Sequence, residues 1–151
     1  MARRRSVVQT QAVLKYPSHL LTPEDLLTFV ELRVFSTRWD AFGLNDHDLG
    51  LVQLLIMINP TKNPVIAGTG GLRKMRCGKV NVSKRDGYRV CYVYLEEFKT
   101  VLMVIIYAKS ELDTIPESHK PAFRKVIERV HRELAKGVKR FGPSNDSQET
   151  R

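Results

Sequence analysis

The sequence predicts an α+β fold: an antiparallel β-sheet packed by two helices from the N-terminal half of the chain and by a third, C-terminal helix. Three observations predict it. Three β-patterned segments follow one another through short connectors between Leu72 and Tyr107. Two helix-patterned segments with stop signals stand before them. One long segment with an apolar stripe at helical spacing stands after them.

Residues 1–22 read as a basic extension. It carries Arg3, Arg4, Arg5 and Pro17, has no acid before Glu24, and is expected to be poorly ordered or laid over the surface. Thr22-Pro23 starts a short turn, with Thr as N-cap and Pro at the first helical position. A first strand is predicted over Phe29–Val34, where apolar and polar residues partly alternate. Phe35–Phe42 reads as a short helix ended by Gly43, and Asp46–Ile58 as a second. Leu49, Val52, Leu55, Ile56 and Met57 supply the core face of that second helix. Asn59-Pro60 terminates it, because proline lacks the N–H and disfavours α geometry in the residue before it.

Gly68-Thr69-Gly70-Gly71 has the look of a phosphate loop. It lacks the following Lys-Ser/Thr, and a strand rather than a helix comes next, so a tight backbone turn is the expectation. The three strands are predicted at Leu72–Cys77, Gly87–Leu95 and Thr100–Tyr107, with a basic connector over Gly78–Asp86 and a tight turn at Glu96–Lys99. The last helix is predicted to begin near Ser118–Pro121, to bury Phe123, Ile127, Val130 and Leu134, and to stop at Gly137. The division is therefore extension 1–22, one domain over 23–137, and a disordered tail over 138–151.

The chain of 151 residues carries a net charge of +9, which points to a polyanionic or acidic partner. Cys77 and Cys91 are too few for a disulfide framework or a zinc site and read as free thiols in a reducing, cytoplasmic setting. The longest apolar run, Val101–Ala108, has strand length and is too short to cross a bilayer, so no membrane association is expected. No spacing of His, Cys or carboxylate suggests a metal, and no cofactor is expected.

Positive charge concentrates in one place. Between Arg73 and Arg89 stand seven cations and one acid, Asp86. Alternation along a strand puts Lys74 and Arg76 on one face and Arg73 on the other. Met103, Ile105, Tyr107 and Lys109 share parity in the last strand. A face that gathers Lys74, Arg76, Arg89 and a residue near Lys109 suits phosphate binding, with Arg73, Lys79, Lys84 and Arg85 as further RNA contacts. It also suits RNA cleavage by the adjacent 2′-hydroxyl. A base takes the 2′ proton, cations stabilise the phosphorane, and an acid protonates the leaving 5′ oxygen. Arginine binds phosphate oxygens bidentately. Lys74, crowded by arginines, is the candidate base, because like charge favours its neutral form. For any one of these side chains, passive phosphate binding is the plainer role.

The strings Asn59-Pro60, Val65 to Arg76 (containing GTGGLRK), Lys84 to Val90 (containing GYR) and Ile106 to Glu111 (YAKSE) together resemble the RelE/HigB group of type II toxin–antitoxin toxins, most of all its HigB-like branch. The resemblance spans roughly residues 28–136. It implies the RelE-like α+β fold and a ribosome-dependent, metal-independent mRNA endonuclease that inhibits translation. The implied partners are the ribosome with its mRNA and a cognate antitoxin. It puts the site at Lys74, Arg76, Arg89 and Lys109. This chain departs from the pattern at Ser110, where an arginine is usual, and at Pro116, where a tyrosine is usual. The general acid is thereby unassigned, with Tyr107 and Lys109 as candidates. A ParE-like gyrase-inhibiting toxin and a non-catalytic basic RNA-binding module on the same fold are the alternatives. An antitoxin could meet the cationic groove, a sheet edge or the polar side of the last helix, from Lys125 to Lys136.

Overall fold

A computed structural model describes residues 2–6, 20–78, 87–112 and 114–141, with the backbone alone at 2–6 and 138–141. In chain order the elements are β1 (Ala2–Ser6), β2 (Thr28–Leu32), α1 (Arg33–Ala41), α2 (Asp46–Ile58), β3 (Arg73–Cys77), β4 (Tyr88–Leu95), β5 (Thr100–Ala108) and α3 (Lys120–Phe141). The strands form one sheet in the order β1-β2-β5-β4-β3. The fold is α+β, with α1 and α2 on one face of the sheet and α3 on the other.

The sheet is mixed, which corrects the expectation of an antiparallel one. β3, β4 and β5 form the expected antiparallel meander, but β2 runs parallel to β5, Thr28 opposite Thr100 and Glu31 opposite Met103. The two helices and the long 59–72 connector bring the chain back to the end of the sheet from which β2 started. β3, and with it β5, therefore points the same way as β2. The extension is corrected too: Ala2–Ser6 pairs antiparallel with β2 as an edge strand, Arg3 in register with Glu31. The first predicted strand is shorter than expected, since Arg33 and Val34 already belong to α1. The predicted stop at Gly137 also fails, and α3 continues to Phe141. A single glycine costs a helix about 1 kcal/mol, which is too little to end one already nucleated and docked over four turns.

Alternation divides the core in two. Phe29, Met75, Val90, Tyr92, Val101 and Met103 face α1 and α2, packing on Phe35, Trp39, Leu49 and Ile56. Val30, Leu72, Cys91, Val93, Leu102 and Val104 face α3, which contributes Phe123, Ile127, Val130 and Leu134. Local chemistry sets the element ends. Asn45 caps α2 by accepting from Asp48 N–H at 2.9 Å, and the Asp48 carboxylate returns a bond to Asn45 N–H at 2.9 Å. The glycine turn is a seat for α3: Arg124 Nη1 donates to Gly68 O at 3.0 Å, and a Cβ at Gly70 would stand 3.3 Å from Arg124 Cγ. Gly70 has φ +80°, so a side chain there meets both conformational and steric resistance.

Tyr92 ties β4 to the turn after α2. Its hydroxyl donates to Pro60 O at 2.9 Å and accepts from Asn63 Nδ2 at 3.2 Å. Burial raises its pKa, with Asn63 and Arg73 opposing the shift. Tyr92→Phe is expected to lower stability in urea by about 1 kcal/mol, the usual net value of such a bond; an unchanged midpoint would mean that water replaces both partners.

Candidate nucleic-acid interface

The pairing register assembles the basic residues. Arg76 on β3 lies directly opposite Arg89 on β4, and Arg89 lies opposite Tyr107 on β5. Lys74, two residues before Arg76, is opposite Cys91, which is opposite Ile105. Met75, Val90 and Tyr92 point into the α1/α2 core, so Lys74, Arg76 and Arg89 belong to the α3 side by alternation.

Tyr107 joins that side only because of a β-bulge. Cys91 pairs with Ile105 while Tyr92 pairs with Met103, leaving Val104 as the extra residue. Beyond it the parity of β5 inverts: Met103 packs under α1 and α2, whereas Ile105 and Tyr107 pack on the α3 side. The expected common face for Met103 and Tyr107 is thus corrected by one inserted residue.

The four groups differ in access. The core beneath α3 takes no residue from β3 itself, Leu72 standing just before it. Lys74 is half-buried and Arg76 exposed. Arg89 and Tyr107 are 3 % and 2 % exposed. Arg89 Nη1 donates to Tyr88 O at 3.2 Å. The Tyr107 side chain and the Lys74 charge both act on the Cys91 thiol and favour its ionised form. Burial dominates both effects and pushes the Cys91 pKa up to about 12, so this sulfur is a neutral, inert thiol at neutral pH.

At the outer edge of β3 lies a depression of about 520 Å³, lined by Lys62, Asn63, Lys74 and Arg76 beside Leu55 and Ile58 of α2. Lys62 is a cation that the strand pattern did not reveal, because it comes from the turn after α2. That turn is held against β3 by Arg73, whose Nη1 donates to Thr61 O at 3.2 Å and Asn63 O at 2.6 Å. Arg73, expected among the RNA contacts, is therefore a clamp for the site's wall. The available signal was its alternation with Lys74.

Gly87 and Lys109 close the end of the row. Lys109 N–H donates to Gly87 O at 3.1 Å, which places Lys109 beside the mouth of the β3–β4 connection. Lys79, Lys84 and Arg85 lie outside the described residues.

Where β2 ends, the edge of β5 is completed by side chains. Arg38 Nε donates to Ile106 O at 2.6 Å, and the Glu111 carboxylate accepts from Ala108 N–H at 2.9 Å and from Arg38 Nη2 at 2.6 Å. Arg38 and Glu111, with Tyr107 and His119, line a cavity of about 260 Å³. His119 is a second neighbour that sequence distance concealed. The Ala108 N–H and then Arg38 hold the Glu111 carboxyl below the usual carboxylate range. A lowered folded-state value contributes stability above the unfolded value, near 4.3, and that contribution is lost as pH falls through the lowered one. The stability difference between wild type and Glu111→Gln is expected at pH 7, should begin to shrink as pH falls below about 4.3, and should vanish only once pH is below the lowered folded-state value. A pH-independent difference would assign the effect to packing.

No protein-family model matches this chain. Among the described residues, no helix is long and apolar enough to cross a membrane. No group of His, Cys, Asp and Glu there is arranged to hold a metal ion.

Proposed function

We propose that this protein is a RelE/HigB-like toxin, a ribosome-dependent mRNA endonuclease acting in the cytoplasm and held in check by a cognate antitoxin. One observation carries the reading: the register sets Arg76, Arg89 and Tyr107 in a single row across three strands, with Lys74 beside it. Arg76, exposed at the edge, offers its fork to the phosphate oxygens and to the charge that develops on the phosphorane. Lys74 is placed to take the 2′ proton, and the 2′ oxygen then forms its bond to phosphorus as the bond to the 5′ oxygen breaks. Arg89 lies beneath and supports the row. Protonation of the leaving oxygen falls to Lys109 or Tyr107. No metal enters this scheme.

A second reading rests on the burial of Arg89 and Tyr107. If the row has no open reacting centre, the same cations make a basic RNA-binding module. The experiment that separates the two incubates purified protein with translating ribosomes and maps the mRNA 5′ ends. New ends at ribosome-covered positions, absent without ribosomes, support the nuclease. Salt-sensitive RNA binding with intact mRNA overturns it in favour of the module.

A further inference from the structure

Helix α2 buries Leu49, Val52 and Ile56 against the sheet. Its opposite side is apolar too. Leu51, Leu55 and Ile58 are 46 %, 54 % and 45 % exposed. Leu55 was expected in the core, and the structure turns it outward. The outward three are spaced by four and then three residues, the seam spacing by which one helix packs along another.

The two ends of this seam carry opposite charge. Asp46 and Asp48 stand in the first turn of α2, and Lys62 stands exposed in the turn that follows the helix. A seam of this kind is its own complement. When two copies run antiparallel about a two-fold axis near Leu55, Leu51 of each lies over the partner's Ile58. The acidic end of each then meets the partner's Lys62, and every contact is made twice. The two helix dipoles also oppose each other, so each N-terminus lies beside a C-terminus.

We infer that the outward face of α2 pairs with the same face of a second copy of this chain, as an antiparallel, two-fold helix pair. Charge complementarity selects that occupant. An acidic partner would set like charge against Asp46 and Asp48. A nucleic acid would do the same and would leave the leucines in water. The net charge of +9 does not oppose the pairing locally. Lys74, Arg76 and Arg89 belong to the other side of the sheet, and charges farther apart than about 8–10 Å are largely screened at physiological salt. Leu55, Ile58 and Lys62 also line the β3-edge depression, so the second copy closes over its outer rim. The inference stands on α2 and the turn after it and does not require RNA cleavage.

The test is sedimentation equilibrium of the full-length protein between about 1 and 200 µM, a range that brackets a weak pair. The 13 residues of α2 span roughly 20 Å, a small interface, so a dissociation constant on the order of 10 µM is expected. Leu55→Asp and Lys62→Glu should each weaken pairing at least about tenfold, because the two-fold axis makes each change act twice. Val34→Asp, an exposed apolar site elsewhere, should leave it unchanged. All three residues are exposed, so the variants keep the core, and circular dichroism verifies it. A lysine-modifying reagent read by mass spectrometry should find Lys62 protected in the paired wild type and open in Leu55→Asp. A chain that stays monomeric throughout, or a pair that survives Leu55→Asp, would overturn the proposal. Pairing lost in Leu55→Asp but unchanged in Lys62→Glu would overturn the antiparallel arrangement. Association that appears only with an added acidic, leucine-seamed peptide would overturn it in favour of another protein. Association only with an added oligoribonucleotide would overturn it in favour of nucleic acid.

Discussion

Arg76→Ala is expected to slow cleavage of ribosome-bound mRNA by about a hundredfold to a thousandfold, the usual loss when one donor to a developing oxyanion is removed. Its position explains why the effect should be chemical. Arg76 is exposed on an edge strand, so its removal should alter stability by no more than about 0.5 kcal/mol. Arg76→Lys is the sharper variant. A lysine keeps the charge but loses the planar fork, so RNA affinity should survive better than the rate. Rates are compared at saturating ribosomes, with unfolding midpoints measured beside them. Full activity in Arg76→Ala would remove the row from the mechanism. Loss of activity and of affinity in equal measure would assign Arg76 to binding alone.

Gly87→Ala should unfold the protein more readily by about 3 kcal/mol, at the upper end of the range for overpacking. The added Cβ would sit 2.3 Å from Cys77 O and 2.9 Å from Gly78 Cα. Both neighbours are backbone, so no side chain can rotate away. Relief requires that β3 and β4 separate at their paired end, where Cys77 faces Tyr88 and Arg76 faces Arg89. Activity should therefore fall with stability. Gly50→Ala is the matched control: Gly50 lies inside α2, and nothing stands within 4 Å of its added Cβ. That change should stabilise by about 0.5–1 kcal/mol. Urea titrations of both variants decide the matter, and a neutral Gly87→Ala would show that the hairpin mouth yields freely.

The helices and the meander were legible because their signals are local. The predicted bounds Asp46–Ile58, with Asn59-Pro60 as the stop, are those of α2, and the Phe123–Leu134 stripe foretold which side of α3 is buried. Leu55 misled because α2 offers leucine and isoleucine in nearly every direction, and composition alone cannot tell which of two apolar faces meets the sheet. The parallel partnership of β2 and β5 was not legible, because it depends on where two helices and a connector return the chain. Arg73 and Lys74, neighbours in sequence, part company: one grips the carbonyls of Thr61 and Asn63, the other joins the cationic row.

By itself the sequence determined the positive charge, its concentration between Arg73 and Arg89, and the alternation that turns Lys74 and Arg76 the same way. Those follow from residue identity and from the two-residue period of a strand. Only the tertiary structure decided that Arg76, Arg89 and Tyr107 stand abreast, that Lys62 joins them at the edge, and that Arg89 lies beneath rather than in front. The reason is register: one inserted residue at Val104 reverses every side chain after it, and no local preference in β5 announces on which side of the sheet its last residues emerge.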